Sequence, residues 1–185
     1  MRFADVVTGH TPDSRFAGRP TQGHSMSRTS ARAPEPSTRH RAVTLAGDLA
    51  RPAVLTVENL RAGWEQHRAD VVFDCATAGP RHHRFEGPLL RDVVLDARPA
   101  FDPRSRKDRS RFLLAVSGAD GHRALLSWAE IDAAFGDVPV LLAALLDGRR
   151  LDEAGSQLVV PADRCGARYV SAVTTVWVGL WRPDR

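Results

Sequence analysis

No apolar run in this chain is long, and almost every one is closed by a turn residue. Residues 138–146 (VPVLLAALL) stop at Asp147-Gly148, residues 158–160 (LVV) at Pro161, residues 112–117 (FLLAVS) at Gly118 and residues 42–46 (AVTLA) at Gly47. A strand needs only about four to eight residues to fill one row of a core, whereas a buried helix needs about ten or more with helical spacing. Runs this short and this often interrupted organise into a core as strands joined by hairpins and tight turns.

Helical spacing does occur between them, in short pieces. Thr56 is placed to cap a helix whose inner face is Val57, Leu60 and Trp64. Residues 70–75 read as a buried strand, residues 76–84 as a loop with two adjacent histidines, and Arg84-Phe85-Glu86 as a returning strand. Gly87-Pro88 opens a helix with proline at its first position and an apolar stripe of Leu89, Leu90, Val93, Val94 and Ala97. Residues 98–111 (RPAFDPRSRKDRSR) are polar and are expected as an exposed loop. Gly118-Ala-Asp-Gly121 joins strands over 112–117 and 122–126. Ser127 with Glu130 forms a capping box for a short helix burying Ile131, Ala134 and Phe135. Residues 139–145, 158–160 and 169–178 supply the remaining strands, and Trp177 and Trp181 read as core or edge packing. The predicted class is α+β: a mixed β-sheet core, sandwich or barrel-like, with short covering helices. Neither GxGxxG nor GxxxxGK[ST] is present, which argues against Rossmann and P-loop nucleotide binding, and no internal repeat stands out.

Residues 1–41 are rich in Ser, Thr, Pro, Gly and Arg without hydrophobic period. They read as a disordered basic tail, with Met26 as an alternative start, ahead of one domain over 42–185. The isoelectric point near 10.0 invites a nucleic-acid reading. However, residues 1–40 hold six arginines against three carboxylates, which leaves 20 basic and 19 acidic side chains for residues 41–185. The patterned part is nearly neutral, so neither nucleic acid nor a membrane is expected as partner. No signal-like start and no run long enough for a bilayer are visible. The expected compartment is the cytoplasm, where Cys75 and Cys165 stay reduced.

Several residues could carry chemistry. Cys75 ends an apolar strand, where a thiolate can be held rigidly; its alternative is a small buried hydrophobe. His82 and His83 could meet a cofactor or sit in solvent. Together with Cys75 and Cys165 they lack recognised zinc-ligand spacing, and a Cys–His hydrolase would need a third, orienting group. His122 follows the Asp120-Gly121 turn, and Ser127 starts a helix where an anion can bind. Arg164 and Arg168 flank Cys165, and planar guanidinium forks suit phosphates and oxyanions.

The segments LAGDLARPAVLTVENL (45–60), the Cys75 strand, FEGPLLRDVV (85–94), the Asp120-Gly121 hairpin, VLLAALLDGRRL (140–151) and QLVVPADRCGARYVSAV (157–173) follow one another in an order that resembles the molybdopterin-binding domain of the sulfite oxidase family. The resemblance runs from about residue 45 to 178. It implies the sulfite-oxidase-like fold, the molybdenum cofactor as ligand and oxo transfer as reaction. It also implies Cys75 as molybdenum ligand and His122 as a second catalytic group. His82, His83, Ser127, Arg164 and Arg168 are then the contacts to the cofactor. The implied partners are a small anionic or oxo-accepting substrate and a redox partner protein. Departures are visible too. Residues 1–41 hold no counterpart of the aromatic, Arg-, Asn- and His-containing segment that clamps the pterin in enzymatic relatives. Asp152, Glu153 and Gln157 stand near where relatives carry a His-Gly pair and an arginine. Ser171 stands near a lysine of theirs, and the stretch from Cys75 to Phe85 is short. A cofactor-free binding or assembly module of the same descent is the alternative these departures favour, and a cofactor-independent thiol enzyme is a third.

Overall fold

The computed structural model of this chain describes residues 42–75, 79–163 and 165–182, the side chains of residues 73–79 excepted; the expected tail over 1–41 and Arg164 lie outside them. The described elements are β1 (Ala42–Gly47), β2 (Ala53–Thr56), α1 (Val57–Gly63), β3 (His67–Cys75), β4 (Gly79–Gly87), α2 (Leu90–Asp96), β5 (Phe112–Gly118), β6 (Arg123–Ser127), α3 (Trp128–Ile131), β7 (Leu141–Ala143), β8 (Leu145–Leu146), β9 (Arg149–Arg150), β10 (Gln157–Val159) and β11 (Val173–Leu180). Short 3₁₀ turns occupy Arg106–Arg111 and Gly166–Arg168.

The class is α+β with mixed sheets and short helices, as the sequence predicts. One sheet runs β2-β1-β11-β5-β6, a second β3-β4-β8-β9, and β10 pairs with β7. Among the described strands only β1 and β11 pair in parallel, with Thr44 opposite Thr175 and Gly47 opposite Val178. Alternation decides which side faces the core. Val43 and Leu45 on β1, Phe112, Leu114 and Val116 on β5, and Val176 and Val178 on β11 are all buried. Helix α2 covers them with Leu90, Val93 and Val94. Helix α1 is capped as expected, Asn59 N–H donating to Thr56 Oγ1 at 3.1 Å. The outer face of the large sheet is not covered by any described element at Val54, Leu125 and Trp177, which are 65%, 65% and 42% exposed. The Trp177 ring lies over Gly179, where a Cβ would stand 2.0 Å from it. Trp177 and Trp181 are thus surface side chains, not core packing.

Four further expectations change. Residues 70–75 belong to a half-buried strand, since Ala69 and Val71 point inward while Val72 is 50% exposed. Residues 79–84 are not loop but part of β4, paired over nine positions from His67↔Gly87 to Cys75↔Gly79. Pro-Arg-His-His-Arg has no apolar alternation to announce a strand; the ladder is dressed instead by Arg84 and Arg68, which meet Asp70 at 3.0 and 2.9 Å. Pro88 does not begin α2. Leu89 is the extended N-cap and bridges Leu141, and the Pro88 carbonyl accepts the Leu142 amide at 3.0 Å, so Gly87-Pro88-Leu89 is spent crossing β7. Helix α3 stops at Ile131 because Asp132 accepts the Ala134 amide at 2.8 Å and the Trp128 indole at 2.6 Å. Ala134 and Phe135 are therefore exposed, and Ser127 caps Ala129 at 3.3 Å without help from Glu130.

Gly47 has φ +105°, and a Cβ there would lie 2.0 Å from the Val178 carbonyl oxygen. Gly63 ends α1 with open space around it. Gly47→Ala should lower the unfolding free energy by more than about 2 kcal/mol, while Gly63→Ala should leave it unchanged or raise it by about 0.5–1 kcal/mol. Urea unfolding of both variants would show the contrast, and equal effects would contradict it.

Candidate functional site

The β3–β4 hairpin and the Asp147-Gly148 turn bound an open cleft of about 600 Å³. Its walls are built by strand alternation. Val71 stands opposite His83 and Val72 opposite His82, so the two histidines lie on opposite faces of one ladder. His83 shares the inner face with Phe85, ring centroids 6.3 Å apart, and His82 is exposed on the outer face. Both line the cleft, from opposite faces of the ladder.

His83 is oriented by a residue that reads in the sequence only as a turn former. Asp147 and Gly148 have φ of +50° and +76°, the primed turn that closes β8 onto β9. That turn aims the Asp147 carboxylate at β4. One oxygen accepts the Arg84 amide and the other meets His83 Nδ1, both at 2.8 Å. The Arg84 amide first, and His83 second, hold the Asp147 carboxyl below the usual carboxylate range. An ionised carboxylate only accepts, so Nδ1 of His83 carries the proton in this pair.

A second cleft, of about 240 Å³, lies on the other side of β3, between Val71 and Val72 and the 161–169 loop with Asp163, Cys165 and Tyr169. Cys165 is an exposed free thiol. The loop is fastened twice. His122 Nε2 lies 3.0 Å from the Ala167 carbonyl oxygen. Arg168 grips Asp163 with two nitrogens, at 2.8 and 2.5 Å, and reaches Glu130 with the third at 2.8 Å. All three guanidinium nitrogens are thereby engaged by carboxylates, which makes Arg168 a bolt between the loop and α3. Arg168 depresses the Asp163 pKa. Burial, and secondarily the Asp163 charge, pushes the Tyr169 phenol up to about 12.

The structure thus brings His83 and His82 to one cleft, sets His122 and Arg168 behind the loop of the other, and leaves the Ser127 hydroxyl as a helix cap. Cys75 is the last residue of β3, at the end of the hairpin that walls both clefts; its side chain and Arg164 lie outside the described residues. Among the described residues, no group of three or more His, Cys, Asp and Glu side chains is placed to hold a metal ion. Asp147, Asp163 and Tyr169 are site residues that sequence reasoning passed over. Only Tyr169 carried a signal, as the single tyrosine of the chain.

No protein-family model matches the chain, and no curated protein matches it in sequence. Among solved structures, the sulfane dehydrogenase SoxCD from Paracoccus pantotrophus shares the fold, with a TM-score of 0.59 and 19% identity over 78% of this chain. The match spans 39% of that structure's chain, and at this identity it speaks for the fold alone. No helix among the described residues is long and apolar enough to cross a membrane.

Two measurements test the fastening. Ultraviolet titration of the single tyrosine should give a midpoint near 12, and one near 10 would show that the phenol is not buried. The raised value stabilises the fold below the ordinary phenol pKa, and that stability is lost as pH rises through the folded value. Arg168→Gln should cost about 1–3 kcal/mol at neutral pH. Because the Asp163 pKa is depressed, its contribution is present above the ordinary value of 3.8 and fades as pH falls below it, so variant and parent should converge in acid. A pH-independent difference would contradict the pairing.

Proposed function

We propose that this chain is a small molybdopterin-binding domain acting as an oxidoreductase of the oxo-transfer type. The observation that supports it is the position of Cys75, which closes β3 where the hairpin walling both clefts ends, within a fold shared with a sulfane dehydrogenase. The donor set suits the group. A strand-end thiolate is a soft ligand for the metal, and the exposed imidazole of His82 and the cationic Arg164 are donors for its phosphate. When bound, the cofactor would supply the transfer of an oxo group coupled to a two-electron change. The chain's own residues bind and orient. Asp147 accepts the hydrogen bond of His83 Nδ1 and so fixes the orientation of the ring. His122 ties the 161–169 loop to the β5–β6 turn, Arg168 ties it to α3 through Glu130, and Ser127 anchors the start of α3. The substrate would be a small anionic or oxo-accepting molecule, and a redox protein in a reducing compartment would take the electrons.

A specific observation favours a second reading, that of a cofactor-free binding or assembly module. All three guanidinium nitrogens of Arg168 are taken by Asp163 and Glu130, so this arginine is not at hand for an anionic cofactor. Each charge-assisted bond lost this way removes roughly 1.5–3 kcal/mol from its binding.

Molybdenum and pterin content of protein made in a host competent for molybdopterin synthesis separates the two. Near-stoichiometric metal in the parent and its loss in Cys75→Ser is the expected result. A folded parent with neither metal nor pterin would support the binding module and end the cofactor reading.

A further inference from the structure

Beyond the clefts, the positive charge of residues 41–185 is concentrated in one short stretch. Residues 98–111 hold six of the 20 basic side chains of residues 41–185 but two of their 19 carboxylates, and the remainder carries 14 against 17. The domain is therefore acidic apart from one basic spot.

That spot is built rigidly around an exposed aromatic ring. The 3₁₀ turn Arg106–Arg111 packs beside Phe135, which is 42% exposed. The guanidinium carbons of Arg106 and Arg109 stand 5.5 and 5.9 Å from its ring centre. Arg106 is tied to the Ala134 carbonyl at 3.0 Å, and Arg109 to the buried Asp132 at 2.9 Å. The two local carboxylates are each engaged by a backbone amide. Asp102 accepts the Arg104 amide and Asp108 the Asp102 amide, each at 2.9 Å, and Asp108 further meets Arg111 at 3.1 Å. Arg104, Arg106 and Lys107 are exposed and have no carboxylate partner among the described residues.

We infer that this face, centred on Phe135 with Arg104, Arg106 and Lys107, is a docking surface for a protein carrying a carboxylate-rich patch. Exposed cations that a partner's carboxylates can neutralise give both specificity and encounter rate. An aromatic ring held between arginines is the residue set that dominates binding energy at interfaces. Prior ordering by Asp132 and Ala134 lowers the entropy lost on binding. Size argues for a protein over nucleic acid. Six residues of 3₁₀ turn reach roughly 12 Å, whereas a duplex presents a charge about every 1.7 Å over a far longer path and would meet the acidic remainder. The inference shares no residue with either cleft and stands whether or not a cofactor binds.

The test is fluorescence anisotropy of a labelled oligoglutamate peptide against the full chain, beside an oligothymidylate of equal length. Arg104→Glu/Lys107→Glu is compared with Arg123→Glu/Arg149→Glu, which changes net charge equally elsewhere. The expected result is salt-sensitive peptide binding, weakened roughly tenfold by the first pair and much less by the second, with the oligonucleotide binding more weakly than the peptide. Equal loss in both pairs, tighter binding of the oligonucleotide, or no peptide binding by the parent would overturn the inference. Should a charge-reversed pair unfold by circular dichroism, Arg104→Ala/Lys107→Ala, which removes only exposed side chains, gives the same comparison.

Discussion

The constraint on which the structure rests is the parallel pairing of β1 with β11. It joins positions as distant as Thr44 and Thr175, and it puts both strands inside a sheet whose edges are β2 and β6. Hairpins such as β5–β6 and β1–β2 form locally. They acquire a common core only when β11 slides between β1 and β5 and its Val176 and Val178 meet Leu45, Leu114 and Val116. Long-range pairing of this kind costs loop entropy before any contact offsets it. The close approach of Gly47 to Val178 is a consequence, since a side chain there would hold the two backbones apart.

Around that apolar centre, the candidate site is fastened by charge. The β8–β9 turn is tied to β4 through Asp147, the 161–169 loop to α3 through Arg168, and the 3₁₀ turn to α3 through Asp132. In each case an ion pair or charged hydrogen bond joins a segment too short or too polar to bury an apolar face. The clefts therefore have walls of two kinds: strands fixed by the ladder, and loops whose position depends on a few ionised groups.

The difference explains what was legible in the sequence. Strands and helices whose core side follows period 2 or 3.6 were readable: β1, β5, α1 and the stripe of α2 run as their spacing indicates. The α+β class followed from them. β4 is not legible because Arg81, His82, His83 and Arg84 are polar on both faces, so the strand carries a cross-strand ion pair, Arg84 to Asp70, in place of a hydrophobic period. Helix α3 reads longer in the sequence than it is, because Ala134 and Phe135 fit a helical face while the Asp132 side chain ends the helix. The site was legible as residue types, not as geometry. His82 and His83 are adjacent in sequence and on opposite faces of a ladder, and Arg168, whose chemistry suits an oxyanion, is consumed by Asp163 of its own loop and Glu130 of α3.

The position of β11 also bears on how the protein is made. Synthesis is directional, and β11 leaves the ribosome after every other strand described here. Until it does, β1 and β5 have no strand between them, and the apolar rows of Val43, Leu45, Leu114 and Val116 lack their central neighbour. The large sheet cannot be completed stepwise from its N-terminal side; the nascent chain must be kept from pairing with other copies during that interval.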